Sequence, residues 1–196
     1  MSNNIQQQTT INIQEKANLI WAIADKLVGV YKPHEYGNVI LPMCVIKRFE
    51  DTLAPTKQAV LDTNAKLDKD GIVVKKGFLE TAAGQQLYNL SPFTFQSLLN
   101  DPENIKENFE SYLNHFSENV IDIIHRMDFD RELQKMADNN VLYLVIKEFC
   151  TSKAYLGADL VTSVDMGYIF EELVRKFSES YDEQLSLIHI SEPTRP

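Results

Sequence analysis

The residues of this chain capable of chemistry are scattered rather than clustered. A loop that cradles phosphate needs glycines one or two positions apart, so that the backbone can turn sharply and approach the ligand. The seven glycines stand at 29, 37, 71, 77, 84, 157 and 167, so there is neither a GxG turn nor a Walker A loop. No Gly-x-Ser-x-Gly elbow presents a nucleophile. His34, His115 and His125 lack the i, i+4 spacing of a helical metal site, and Cys44 and Cys150 are far apart in sequence. His115 and His125 would bind a metal only by converging across two helices with Asp122 or Asp128, and satisfied surface histidines explain them more simply. Asp128-Phe129-Asp130 lies in an acidic stretch where paired carboxylates are expected by chance. No flanking pattern activates either thiol, so both cysteines read as small hydrophobes.

The elements that would position these groups are helical. Residues 1–13 are polar and Gln-rich, which predicts a mobile lead-in. From Gln14, the apolar residues Leu19, Ile20, Ile23, Ala24 and Leu27 recur on one helical stripe, and Gly29 stands where a C-terminal cap belongs. Pro33 and Gly37 make Tyr31–Gly37 a loop. Val39, Ile40, Met43, Ile46, Phe49 and Leu53 mark a second helix that either begins near Pro42 or kinks there. Lys47, Arg48, Glu50 and Asp51 are expected on its polar side. Asp70-Gly71 before Ile72-Val73-Val74, and Gly77 before Phe78-Leu79, predict a small β-hairpin near residues 70–80. Asp101-Pro102 is a helix start signal. Further apolar faces follow through residues 105–149, and Met166, Ile169, Phe170, Leu173 and Phe177 form the last. The fold expected is mainly α, an irregular helical bundle that admits one small hairpin. Residues 14–184 form this helical domain. Residues 185–196 (LSLIHISEPTRP) break the pattern abruptly and resemble translated sequencing-adaptor read-through, which marks them as a non-native tail.

Composition narrows the function classes. The chain has 196 residues with 44% hydrophobic and 24% charged side chains, enough for one buried core. Two cysteines suit a reducing cytoplasm. No stretch approaches the ~18–20 apolar residues of a membrane span, and no signal peptide opens the chain. The net charge of -9 is unevenly distributed. Residues 1–60 carry +1, residues 61–100 are neutral, residues 101–140 carry -6 and residues 141–184 carry -4. A polyanion could approach the first half and would be repelled by the second.

One resemblance stands on particular residues. The run Ala17–Glu50 (ANLIWAIADKLVGVYKPHEYGNVILPMCVIKRFE) resembles the opening of type I restriction–modification methylase (M) subunits. The similarity continues through Tyr88-Asn89-Leu90-Ser91 and ends with Met166–Ser180 (MGYIFEELVRKFSES). In that family a helical N-terminal domain precedes an adenine-N6 methyltransferase core. The family's glycine-rich S-adenosylmethionine loop and its Asn-Pro-Pro-aromatic loop both lie downstream of the residues present. Ser91-Pro92-Phe93 lacks the second Pro and is no substitute. The resemblance therefore implies an N-terminal domain cut off before its catalytic core, with no catalytic, cofactor-binding or metal-binding residue of its own. S-adenosylmethionine is the cofactor of the full-length family and is not expected to bind this chain.

The role so implied is contact with DNA, the specificity subunit and a second M subunit, with a restriction subunit as a further partner and the cytoplasm as location. The cations available for phosphate are Lys32 in the YKPHEYG loop, Lys47 and Arg48 on the second helix, and Lys75 and Lys76 in the expected hairpin. Tyr31, His34 and Tyr36 would add stacking or hydrogen-bonding partners. A free-standing helical protein-interaction module is the alternative.

Overall fold

A computed structural model describes residues 13–191, with side chains through Glu179. Helix α1 spans residues 13–22 and tightens into a 3-10 turn at Ile23–Leu27. Gly29 follows with φ of 85°, the left-handed conformation that ends helices and that glycine adopts without steric cost. After a one-turn 3-10 segment at Pro33–Glu35 comes α2, Gly37–Leu53. Then follow α3 (Lys57–Lys69), α4 (Lys76–Ala83), a single turn α5 (Phe95–Leu98), α6 (Ile105–Asn114), α7 (Glu118–Arg126), α8 (Phe129–Asp138), α9 (Leu142–Phe149) and α10 (Ser163–Ser191). The architecture is all-α, as the apolar periodicity predicts.

The hairpin expected near residues 70–80 does not form, and no strand occurs among the described residues. Asp70-Gly71 is the C-terminal cap of α3. Gly71 takes φ of 69°, and the Ile72 amide donates back to the Leu67 carbonyl, closing the helix end. Lys76–Ala83 then forms a helix of its own, ended by Gly84 at φ of 70°. Val73 and Val74, 89% and 80% exposed, gain nothing from pairing because no neighbouring strand is there to receive them. The segment is an α-hairpin instead, with Val60, Leu67, Leu79 and Ala83 forming a small core separate from the main one.

The main core is organised around α2. Val39, Ile40, Pro42, Met43, Cys44 and Ile46 are buried in succession, more than one stripe, so the helix is enclosed on most sides. Pro42 lies within this helix, which begins five residues earlier rather than at the proline. Its missing N–H forgoes one backbone bond near the helix start, a loss the enclosed position offsets by burial. Around α2 stands an aromatic cluster in which Phe109 meets Phe95, Tyr112 and Phe129 with ring centroids 5.7, 5.9 and 6.4 Å away. Asp101 accepts from the Asn104 and Asn108 side-chain amides at the start expected for α6. Helix α10 buries Met166, Ile169 and Leu173 against the domain, and Phe177 meets Trp21 at 5.2 Å. Its backbone stays helical to Ser191. Residues 1–12 of the lead-in and 192–196 of the tail lie outside the described residues.

Candidate nucleic-acid interface

Of the five expected phosphate contacts, Lys32 and Lys76 are exposed, Lys75 and Arg48 are half-buried, and Lys47 is buried. Lys32 is exposed beside the 3-10 turn, where its amide donates to Glu35. Lys76 is exposed at the start of α4, 3.9 Å from Glu80. Lys75 is half-buried and pairs with Asp68 and the Asn64 side chain. Lys32 lies on the loop before α2, and the other two lie on the α3–α4 hairpin.

Lys47 and Arg48, expected on the polar side of their helix, face inward. Lys47 is 8% exposed and donates to Asp51, itself 5% exposed, at 2.7 Å. The second Asp51 oxygen accepts from the Leu156 amide at 2.8 Å. Arg48 donates to the carbonyls of Leu156 and Val161, and burial lowers its guanidinium below the usual value. The α2 side chains thus hold the segment between α9 and α10. That segment is folded tightly on itself. The Tyr155 hydroxyl donates to Asp159 at 2.6 Å, which pushes its pKa up to about 12, and a Cβ at Gly157 would collide with the Tyr155 ring.

Glu50 is internal too. It accepts from the Phe95 amide at 2.7 Å and from the Tyr112 hydroxyl at 2.6 Å. Burial, then the Glu50 carboxylate, raises the Tyr112 phenol. Lys57 reaches in from α3, donating to the Phe93 carbonyl at 2.8 Å and lying 5.4 Å from the Tyr112 ring centre. Asn89 is buried and donates to the Tyr112 carbonyl at 3.0 Å. The Tyr88-Asn89-Leu90-Ser91 run is therefore a structural tie, its neighbours bonding residues 115 and 117 through the backbone. Both carboxylates of this network, Glu50 and Asp51, have hydrogen-bond partners. Its chemistry is that of cohesion.

The other expected residues are also accounted for. Tyr31 donates to the Glu132 carbonyl at 3.2 Å, and Lys135 lies 4.0 Å from its ring centre. Tyr36 is buried against Trp21, and His34 is exposed. Among the described residues no three His, Cys, Asp or Glu side chains converge to hold a metal ion. No helix among them is long and apolar enough to cross a membrane. Cys44 is enclosed and Cys150 half-buried, and burial raises both thiols, Cys150 to about 11. Since the thiolate is the reactive form, the native chain should alkylate slowly with iodoacetamide near pH 8, while a denatured sample reacts fully. The sign follows. Cys150 favours the folded state below its ordinary pKa near 9, and that contribution is lost as pH rises through about 11. Rapid alkylation of Cys44 in the native chain would contradict its enclosure.

The inward polar residues escaped the sequence reading because α2 is buried on several sides, and a one-stripe assignment places any charge on the outside. The i, i+4 spacing of Lys47 and Asp51 was the available signal for an ion pair. The exposed cations alone remain as candidates for phosphate. No curated protein and no solved structure matches this chain. A model of the HsdM N-terminal domain family matches residues 16–149, from within α1 to the last residue of α9. With more than half its length matched, the chain belongs to the HsdM N-terminal domain family, the N-terminal domain of type I restriction–modification M subunits.

Proposed function

We propose that this domain serves a type I restriction–modification methylase subunit by contacting DNA and by packing against the specificity subunit and a second M subunit. The full-length subunit would transfer a methyl group from S-adenosylmethionine to adenine N6, and a restriction subunit would complete the complex. The family match over residues 16–149 carries this reading. A cytoplasmic location accords with the two free cysteines.

The residues present do not fit S-adenosylmethionine. The left-handed glycines 29, 71 and 84 belong to three separate turns and cannot form one loop of backbone N–H groups around a ligand. The chain's own contribution is binding, and the exposed Lys32 and Lys76, with Lys75 next to Lys76 in sequence, are the groups offered to phosphate.

Titration of the chain with a short duplex at low salt tests the DNA role. Changing Lys32 and Lys76 together to Glu should weaken binding. It should also flatten the dependence of affinity on salt by roughly one unit of slope per lost contact. An unchanged salt slope would remove both residues from the interface. Lys47 and Arg48 are not suitable probes, since their replacement disturbs the interior.

A further inference from the structure

The α3–α4 hairpin is an arm with a core of its own. Val60, Leu67, Leu79 and Ala83 are buried within it, and its two helices pack chiefly on each other. Its base is closed by the Thr56 hydroxyl, which donates to the Ala83 carbonyl. Lys57 ties that base to the domain by donating to the Asn89 side chain and the Phe93 carbonyl. The 13 residues of α3 place the connection at the other end about 20 Å from this joint.

The tip carries two kinds of exposed group. Val73 and Val74 are 89% and 80% exposed, and Phe78 is 54% exposed. Around them, residues 66–78 hold four lysines against two aspartates, a local charge of +2 in a chain of -9. Asp68 is taken up by Lys75. That leaves Lys66, Lys69 and Lys76 exposed against Asp70. Lys66 and Lys69 make no ion pair among the described residues, and Lys76 lies 3.9 Å from Glu80. Gly77, between Lys76 and Phe78, has open space where a side chain would stand, so a ligand can approach the backbone closely there. An apolar protein recess would desolvate three ammonium groups without return. A duplex meets each with phosphate and offers base edges and thymine methyls to apolar side chains.

We propose that the tip of the α3–α4 hairpin is the domain's principal contact with duplex DNA. Lys66, Lys69 and Lys76 hold phosphates, while Val73, Val74 and Phe78 lie against base edges in a groove. This rests on the DNA role proposed above and assigns that role to one element. The lysines supply affinity that falls with salt, and the apolar contact supplies a part that does not.

Titration of the full chain with a short duplex over a range of salt concentrations separates the two parts. Lys66→Gln with Lys69→Gln should lower the salt slope by roughly two, about one for each lost phosphate contact. Val73→Ser, Val74→Ser and Phe78→Ser together should leave the slope unchanged. Their combined effect should be weaker binding by about fivefold or more, the loss of one base–aromatic contact. All five positions are largely exposed, so circular dichroism and melting temperature should match the parent. Lys147→Gln on α9 and Ile123→Ser on α7, exposed positions elsewhere, should alter neither affinity nor slope. A lysine variant with the parent slope would overturn the assignment, as would equal losses in the two control variants. A serine variant with the parent affinity would also overturn it and give the apolar tip to a protein partner. If the parent bound duplex and Lys32→Glu weakened it while the hairpin variants did not, the DNA role would stand without the hairpin. A parent that bound no duplex even at low salt would end both readings.

Discussion

Asp51→Ala is expected to destabilise the domain by about 3–5 kcal/mol, the range for removing one partner of a buried ion pair. The carboxylate has two obligations. One oxygen neutralises Lys47 at 2.7 Å, and the other accepts the Leu156 amide at 2.8 Å. Removing it leaves an ammonium 8% exposed with no counter-charge and a buried backbone donor with no acceptor. A domain of this size has a total stability of about 5–15 kcal/mol, so the loss should appear in urea or thermal unfolding as a large fall in midpoint. The partner experiment separates charge from packing. Replacing both residues, Lys47→Met with Asp51→Leu, removes the uncompensated charge and should recover most of the loss, leaving mainly the orphaned Leu156 amide. If the single Asp51 variant melted within a degree or two of the parent, Lys47 would have another route to solvent and the buried pair would be disproved.

Phe109→Ala should cost a similar amount, about 3–5 kcal/mol, for a different reason. Phe109 is fully buried and touches three other rings, Phe95, Tyr112 and Phe129. Deleting its ring removes dispersion contacts with all three and leaves a cavity that the surrounding helices cannot easily fill. Phe129 is the first residue of α8, entered through Asp128 in the left-handed conformation at φ of 51°, a non-glycine position held there by its surroundings. Loss of the Phe109 contact should therefore loosen the start of α8 as well. Hydrogen exchange at residues 129–133 should rise in this variant more than the global change accounts for. Phe109→Leu, which keeps much of the volume, should recover over half of the stability. Equal exchange across all helices would mean that the cluster acts only through global unfolding.

Helix boundaries were legible where apolar periodicity met a strong start or stop signal. Gly29 at the end of the first helical segment and Asp101-Pro102 before α6 are examples, because left-handed glycine and the Asp-Pro step act within a few residues of chain. Local signals of the same kind predict a β-hairpin at the α3–α4 connection. Three β-branched residues in a row favour strand, but strand pays only when a neighbour receives its hydrogen bonds, and none is near. Sequence order cannot report that absence.

The interface candidates divide on the same ground. Lys32 and Lys76 could be placed at the surface from sequence because a charge in a loop or a hairpin is normally solvated. Lys47 and Arg48 could not, since their position depends on how many helices surround α2. Sequence by itself determined that the chain is helical, that its charge is split between halves, and that it carries no nucleotide loop or metal motif. It also contained the residues by which the family is recognised. Tertiary structure decided which charges bind inward. Periodicity is a property of one helix, whereas burial is a property of all its neighbours together, and only the assembled fold brings Leu156 to Asp51 across 105 residues.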